Sequence, residues 1–501
     1  MDTYNLGADL IDRNAARADS PAIWFAGQTL SYAETGKLVD AAAHALLRAG
    51  VQREQRVLML LPDGPELVAA YLGAMKLGAV AVPCNPLLRT ADFAWFIGES
   101  RARVVIAAQG LVDKLPPLEP WQRLVVCGGD PAAATSWERF VEAPQQVRAA
   151  ETRKDEAAFW LWTSGSTGRP KAAVHAHQDW PHCCELYAKP ILGISAGDRC
   201  FSVSKLFHAY GLGNALIFPF WVGATAVLSG ERPTPDLAYR VLGESQATLF
   251  YGVPTLYAAM LQNAQATVPA SLRLCVSAGE PLPGELFSRW KARFGSEILD
   301  GIGSSEVLHI YVSPRAGSAK PGSTGLPVEG YEVRIIDEAG QDVPRGAAGD
   351  LIVRGPSTAL CYWNRLEQTR AKMRGEWFFT GDKFVQTGDG EYHYVGRSDD
   401  MFKVGGEWVS PADVEAALIS HPAVLEAAVT ARDVGGLLKC IAHVVLVKDR
   451  AEDAALGEEL RAHVRGRCPG YMVPREVRFL KELPKTATGK IQRFRLREDP
   501  A

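Results

Sequence analysis

Leu161-Trp162-Thr163-Ser164-Gly165-Ser166-Thr167-Gly168-Arg169-Pro170-Lys171 is the stretch around which the chain is organised. From Thr163 onward it carries four hydroxyls, two glycines and two cations, directly after the apolar run Ala157 to Trp162. Glycines let a backbone turn tightly and bring its N–H groups close to a ligand. Hydroxyls and cations add further donors, so the loop fits a polyphosphate. The bland alternative is a Gly/Ser surface turn. A Walker A loop is excluded, because that motif needs Gly-Lys-Ser/Thr after four spacers. Here Lys171 follows Pro170 and precedes Ala172.

The pattern around this loop is α/β. Upstream, Leu38, Ala42, Ala45 and Leu46 share one helical face, and Leu67, Tyr71 and Met75 share another. Arg56–Leu61, Ala79–Val82, Arg103–Ala107 and Leu124–Cys127 read as strands between and after them. This is the rhythm of a doubly wound layer. Asp130–Arg153, rich in Ala, Pro and charge, reads as a surface connection. Downstream the rhythm repeats, with strands at Thr225–Leu228, Ala247–Tyr251, Leu272–Val276 and Glu297–Leu299 and helices at Pro254–Gln262 and Glu285–Phe294. Three polar, glycine-bearing loops thus follow strands: the opening loop, Ser277–Pro281 and Asp300–Glu306. Ligands of open α/β sheets gather at the carboxyl ends of strands, so the three are candidates for one site.

From Gly330 the texture becomes β-rich, with strands at Tyr331–Asp337 and Asp350–Arg354. After a polar knot at Gly396–Asp400 comes a segment of about a hundred residues, enough for a small α+β domain. Its elements are helix Pro411–Ile419, strand Ile441–Val447 and helix Leu456–Arg465. The expected division is 1–397 and 398–501, with the boundary near Asp399.

The totals exclude several classes. At 501 residues, 47% hydrophobic and 22% charged, the chain is that of a globular protein with more than one domain. A net charge of -3 gives no support for nucleic acid or an anionic membrane as partner. The longest apolar run, Ala215–Leu228, is interrupted by Pro219 and Gly223 and is too short to span a bilayer. The N-terminus does not read as a secretory signal. Nine scattered cysteines without a C-x-x-C read as reduced thiols, so a cytoplasmic location is expected.

Five motifs in order resemble the adenylate-forming superfamily, which includes acyl-CoA and aryl-CoA synthetases, carrier-protein-loading adenylation domains and firefly luciferase. They are Thr163–Lys171, Asp300–Glu306, Thr380-Gly381-Asp382, Gly396–Asp400 and the tail Pro484-Lys485-Thr486-Ala487-Thr488-Gly489-Lys490. The resemblance covers nearly the whole chain. It implies a large N-terminal domain of doubly wound α/β subdomains plus a β-rich subdomain, and a small mobile α+β C-terminal domain that swings about Asp399. It implies that a carboxylate attacks the α-phosphate of ATP, giving an acyl adenylate and pyrophosphate, and that a thiol then releases AMP.

The resemblance also assigns roles. Thr163, Ser164, Gly165, Ser166, Thr167, Gly168 and Lys171 would grip the β- and γ-phosphates. Glu306 would hold Mg²⁺, a hard ion that takes oxygen ligands. Asp382 would accept the ribose hydroxyls, with Arg397 a second ribose or phosphate contact. Gly279, Glu280 and Pro281, with Asp300, Gly301, Ile302, Gly303, Ser304 and Ser305, would form the rest of the ATP/AMP site. Lys490 would bridge the substrate carboxylate and the α-phosphate. One departure stands out: Ala172 follows the loop lysine where the family usually has glycine.

Within the superfamily, Lys205–Asn214 and Asp300–Ile310 resemble the benzoate-CoA ligase group. By that match His208 gates the path between acid and thiol. Ala209, Tyr210, Gly211, Ala278, Ile302 and His309 would surround a small aromatic ring, and Lys403, Gly405, Gly406 and Trp408 would line the coenzyme A channel with His208. Ordinary core packing is the alternative for Tyr210 and His309. The implied activity is an aryl-CoA ligase for benzoate or 2-aminobenzoate, with 4-hydroxybenzoate as a second acid. A stand-alone enzyme loading a carrier protein and a non-catalytic nucleotide-binding protein are the alternatives. A homodimer is the default expectation for assembly.

Overall fold

The computed structural model describes residues 2–129, 134–163, 169–404, 407–434, 437–447, 450, 452–485 and 491–498. Two large, mostly parallel sheets dominate it. In the first, Arg56–Leu60 lies between Val80–Pro83 and Val104–Ala108, and Arg123–Cys127 continues outward from the latter, all parallel. On the other side Val80–Pro83 meets Ala157–Thr163 in parallel, and Ala157–Thr163 turns back antiparallel into Lys171–Ala176. The short strand Cys361–Tyr362 closes that edge, with Tyr362 opposite Ala173.

In the second sheet Ile298–Asp300, Leu274–Ser277, Leu249–Gly252, Arg199–Ser202, Thr225–Leu228 and Pro21–Phe25 run parallel, and Gln28–Ser31 forms an antiparallel edge. The opening loop therefore leaves one sheet while Ser277–Pro281 and Asp300–Glu306 leave the other. The three loops that the sequence groups as candidates for one site thus come from the strand ends of two sheets.

Local chemistry explains the elements. The helix Tyr32–Arg48 starts at a capping box of Ser31 and Glu34, which satisfies otherwise unpaired backbone donors. Its apolar face packs on Pro65–Lys76, whose residues from Leu67 to Lys76 are all buried. Pro254, Pro235 and Pro411 each stand in a first helical turn, where a missing N–H costs nothing. The Ala215–Leu228 run divides into a π-helical turn at Gly213–Ile217, helix Phe218–Val222 and strand Thr225–Leu228, and no described helix is long and apolar enough to cross a membrane.

The region expected to be a bare surface connection is more than that. Thr135–Ser136 adds a strand to the first sheet, and helix Trp137–Phe140 buries both of its aromatic ends. Two aromatics four positions or fewer apart outweigh the polar composition around them.

The β-rich expectation after Gly330 matches an antiparallel sheet of Glu332–Ile336, Ala348–Arg354, Trp377–Gln386 and Tyr392–Arg397, with Met373–Arg374 at its edge. The last part of the chain has its own core around Val414, Leu418, Val429, Val444, Leu456 and Leu460. In its sheet Leu437–Leu446 is central, pairing antiparallel with Val424–Val434 and parallel with Glu476–Phe479.

Candidate active site

Thr163 and Lys171 face each other as the last pair of their hairpin, so the strands deliver both ends of the loop to one place. Lys171, Ala173 and His175 alternate onto one face of their strand. The Lys171 ammonium lies 3.9 Å from the ring centroid of Tyr362, the residue paired with Ala173. Tyr362 Oη donates to Glu306 Oε1 at 2.7 Å. Glu306 is buried. Burial lowers the Lys171 pKa from its ordinary value; Glu306 opposes that shift, while Lys372 and Arg397 add to it. A cluster of cations thus meets one acidic group beside the loop.

The backbone that carries Glu306 is tied at three successive carbonyls. Ser305 O contacts His175 Nε2 at 2.7 Å, Glu306 O accepts from Ala359 N–H at 2.7 Å, and Val307 O accepts from Ser357 Oγ at 2.7 Å.

Asp382 and Arg397 are cross-strand partners and form an ion pair at 3.1 Å. Gly381 before them has φ +80°, and a Cβ there would sit 3.0 Å from Lys372 Nζ. Asp300 is buried at the end of its strand. Its Oδ2 accepts from Leu282 N–H at 3.2 Å, its Oδ1 has no partner, and burial pushes its pKa up to about 8. Ser304 Oγ accepts from Val307 N–H, and Gly279 has φ +95°.

Tyr210 Oη donates to Val276 O at 2.9 Å and reaches Gly252 O at 3.3 Å, which fixes the ring across the ends of two strands. Its ring stacks on His309 with centroids 6.0 Å apart and planes at 27°. His309 is buried among Tyr210, Tyr187 and Phe218, and its ring nitrogens lack hydrogen-bond partners of normal geometry. Burial pushes its pKa down to about 3, so the ring is neutral. Ala209 and Ala278 are buried and Ile302 half-buried on the same core. Gly211 is required sterically: a Cβ would fall 2.2 Å from Ser204 O. His208 precedes the short helix Ala209–Leu212 and packs edge-on against Phe207. The loop before it is anchored by buried Asp63, whose Oδ1 accepts from Leu206 N–H at 3.0 Å.

Residues 11–363 match the family model described as AMP-binding enzyme, and residues 413–490 match AMP-binding enzyme C-terminal domain. The chain belongs to the AMP-binding enzyme family. A benzoate–CoA ligase of Thauera aromatica is 47% identical, covering 99% of this chain and 96% of the relative. A solved benzoate CoA ligase from Burkholderia xenovorans LB400 superposes with a TM-score of 0.93 at 46% identity, covering 99% of this chain and 100% of that one. An anthranilate CoA ligase solved in complex with anthranoyl-AMP gives 0.94 at 38% identity, covering 99% and 96%.

In this AMP-binding enzyme the base of the tail meets the Ser277–Pro281 loop. Lys485 and Ile491 form an antiparallel bridge, Gln492 N–H donates to Pro484 O, and Ile491 N–H donates to Glu280 Oε1 at 3.3 Å. Lys490 itself lies outside the described residues, as do Ser164, Gly165, Ser166, Thr167, Gly168, Gly405, Gly406 and the Trp408 side chain. Lys403 pairs with Trp408 where Phe402–Val404 and Glu407–Val409 run antiparallel. At the expected hinge, Ser398 Oγ donates to Asp350, and Asp400 accepts from Arg497 at 2.6 Å.

Ala172, the departure from the family's glycine, sits buried in regular strand opposite Trp162 and is not among the positive-φ residues. A methyl group is therefore accommodated there without backbone strain. Sequence inspection missed Tyr362 and Lys372. The first sits in an unremarkable Cys-Tyr-Trp run and gains meaning only from pairing with the loop's return strand. The second is one cation in a basic stretch, Arg370 to Arg374.

Proposed function

We propose that this enzyme is an ATP-dependent aryl-CoA ligase that activates a small aromatic acid, of the benzoate or 2-aminobenzoate type, as acyl-AMP and passes it to coenzyme A. The observation that carries the substrate class is the Tyr210–His309 stack. One ring is pinned by strand carbonyls and the other is neutral and buried. Such a wall makes a flat apolar slot with a fixed end, suited to an aromatic ring and too short for a long acyl chain. The names of the benzoate and anthranilate ligases support the same class.

The first step brings an anionic carboxylate to a polyanion, so it needs fixed positive charge. Thr163, Lys171 and the loop between them hold the β- and γ-phosphates as the leaving pyrophosphate. Lys372 and Arg397 add to the field at Lys171. Asp382 takes the ribose hydroxyls and is oriented by Arg397. Gly279 to Pro281 and Asp300 to Ile302 line the adenine. Lys490, on a tail whose base already reaches Glu280, bridges the carboxylate and the α-phosphate.

Among the described residues, no group of three His, Cys, Asp or Glu side chains forms a metal cage. Glu306 offers one hard carboxylate, which suits Mg²⁺, an ion that completes its shell with phosphate oxygens and water. When bound, it supplies charge neutralisation on the phosphates.

In the second step the thioester forms along a channel gated by His208 and lined by Lys403, Gly405, Gly406 and Trp408. The segment 398–501 turns about Asp399 relative to 1–397 to exchange the two faces, a rigid-body switch at a few terminal residues.

The test is an acid panel of benzoate, 2-aminobenzoate, 4-hydroxybenzoate and a medium-chain fatty acid, read as AMP and as CoA thioester. Fastest turnover of benzoate or 2-aminobenzoate is expected; fastest turnover of the fatty acid would overturn the substrate class. The same assay with a carrier protein in place of coenzyme A distinguishes the acceptor.

A further inference from the structure

His175 and Asp179 take no part in any contact assigned above to substrate. His175 is wholly buried, with Nδ1 2.8 Å from Asp179 Oδ2 and Nε2 2.7 Å from the Ser305 carbonyl oxygen. Asp179 Oδ2 also accepts from Ala176 N–H at 3.0 Å. A carboxylate and a carbonyl are both acceptors, and a neutral imidazole has a single N–H. With Asp179 ionised, a neutral ring here would press one lone pair against another oxygen at hydrogen-bond distance, away from water.

We propose that His175 is held as a buried imidazolium, paired with Asp179, and that its second N–H positions the segment bearing Glu306. Two observations favour the proton on the ring. Phe159 lies parallel to it, with centroids 5.2 Å apart and planes at 10°, and an aromatic face attracts a cation. The ion pair is also hydrogen-bonded on both sides, the condition under which a buried charge is tolerated.

The charged and titratable groups around the ring are few. Asp179 and His182 come from the helix, with Cys183 and Tyr331 also near Asp179; Glu306 lies one residue beyond Ser305, and Lys171 shares the strand face; Phe159 and Trp180 are uncharged.

The strand Lys171–Ala176 then does two things at once. It presents Lys171 to the phosphate loop and, four residues on, fixes the backbone from which Glu306 projects. His175 is a positioning residue, because it touches Ser305 and not the substrate. The catalytic consequence rests on the aryl-CoA ligase reading above, whereas the protonation of the ring does not.

The experiment labels all histidines with ¹⁵N in the full chain and assigns the His175 signal by its loss in His175→Gln. Two protonated ring nitrogens at neutral pH are expected. One protonated and one pyridine-type nitrogen would overturn the proposal. The functional arm compares His175→Leu with His175→Gln, whose amide can still donate to Ser305. The leucine variant should lose about 10- to 100-fold in kcat/KM for ATP and need more Mg²⁺, with the KM for benzoate unchanged. The glutamine variant should regain most of that loss. Equal damage to ATP and benzoate parameters, or no rescue by glutamine, would refute the positioning role. If the leucine variant does not fold, the label and the glutamine variant still decide. If the parent forms no adenylate from any aryl acid, the reaction assignment fails while the nitrogen spectrum still answers for His175.

Discussion

Tyr362 donates its phenolic proton to Glu306 at 2.7 Å, and the same ring lies under the ammonium of Lys171. One side chain therefore touches both the acidic group and the cation beside the Thr163–Lys171 loop. It does so because the edge strand Cys361–Tyr362 pairs with the return strand of the phosphate loop.

Tyr362→Phe should keep the ring under Lys171 and remove only the hydrogen bond. A hydrogen bond to a charged group contributes about 1.5–3 kcal/mol. The expected loss is thus about 10- to 100-fold in kcat/KM for ATP, with thermal stability little changed. Pyrophosphate exchange across a Mg²⁺ titration measures it. An unaltered Mg²⁺ dependence would show that Glu306 does not need this partner.

Lys490→Ala should cripple formation of the acyl adenylate and largely spare thioester formation from supplied acyl adenylate. The tail's Ile491 N–H donates to Glu280, a residue of the proposed nucleotide site. The measurement is paired: benzoate-dependent ATP–pyrophosphate exchange for one step, and CoA thioester from synthetic benzoyl-AMP for the other. Equal loss in both would sink the division of labour.

What was legible in the sequence divides along physical lines. Helices with proline in the first turn and a clear apolar stripe, such as Pro254–Gln262 and Pro411–Ile419, stand where periodicity puts them. The glycine-bearing loops after apolar strands stand at the strand ends where the sequence puts them. The strand Val424–Val434 is different: its alanines carry no strand preference, and it exists because Leu437–Leu446 pairs along its whole length. The assignment of loops to two sheets, the placing of Tyr362 on Glu306, and the His175–Ser305 contact across 130 positions are long-range facts. Spacing along the chain carries no trace of them.

Asp300 should impose a pH slope on stability. Burial raises its pKa from 3.8 to about 8, so between those values the folded chain holds a proton that the unfolded chain has released. Stability from this group is complete below pH 4, falls as pH rises, and levels off above about 8. Asp300→Asn mimics the protonated acid and lacks the slope. The variant should gain on the parent by up to about 4 kcal/mol between pH 5 and pH 8, at about 1.4 kcal/mol per unit. His309 slopes the other way below pH 6.5, since its folded pKa is lowered to about 3, but it is common to both proteins and cancels in the difference. Urea unfolding of the pair at both pH values tests this; parallel stability curves would contradict it.

Gly211→Ala tests how the acid slot is built. The new methyl would fall 2.2 Å from Ser204 O and 2.3 Å from Lys205 O, both backbone atoms that cannot swing aside like a side chain. Overpacking of this kind costs about 1–3 kcal/mol. The displaced segment leads into His208, while its other anchor, Leu206 N–H on Asp63, resists the shift. Strain should therefore appear at the wall of the slot and not at the phosphate loop. The KM for benzoate should rise about tenfold or more at nearly unchanged KM for ATP, because a misplaced wall alters differential contacts worth about 1–3 kcal/mol. Steady-state kinetics with each substrate varied in turn separates the two. A rise confined to ATP would mean that the helix after His208 does not shape the acid site.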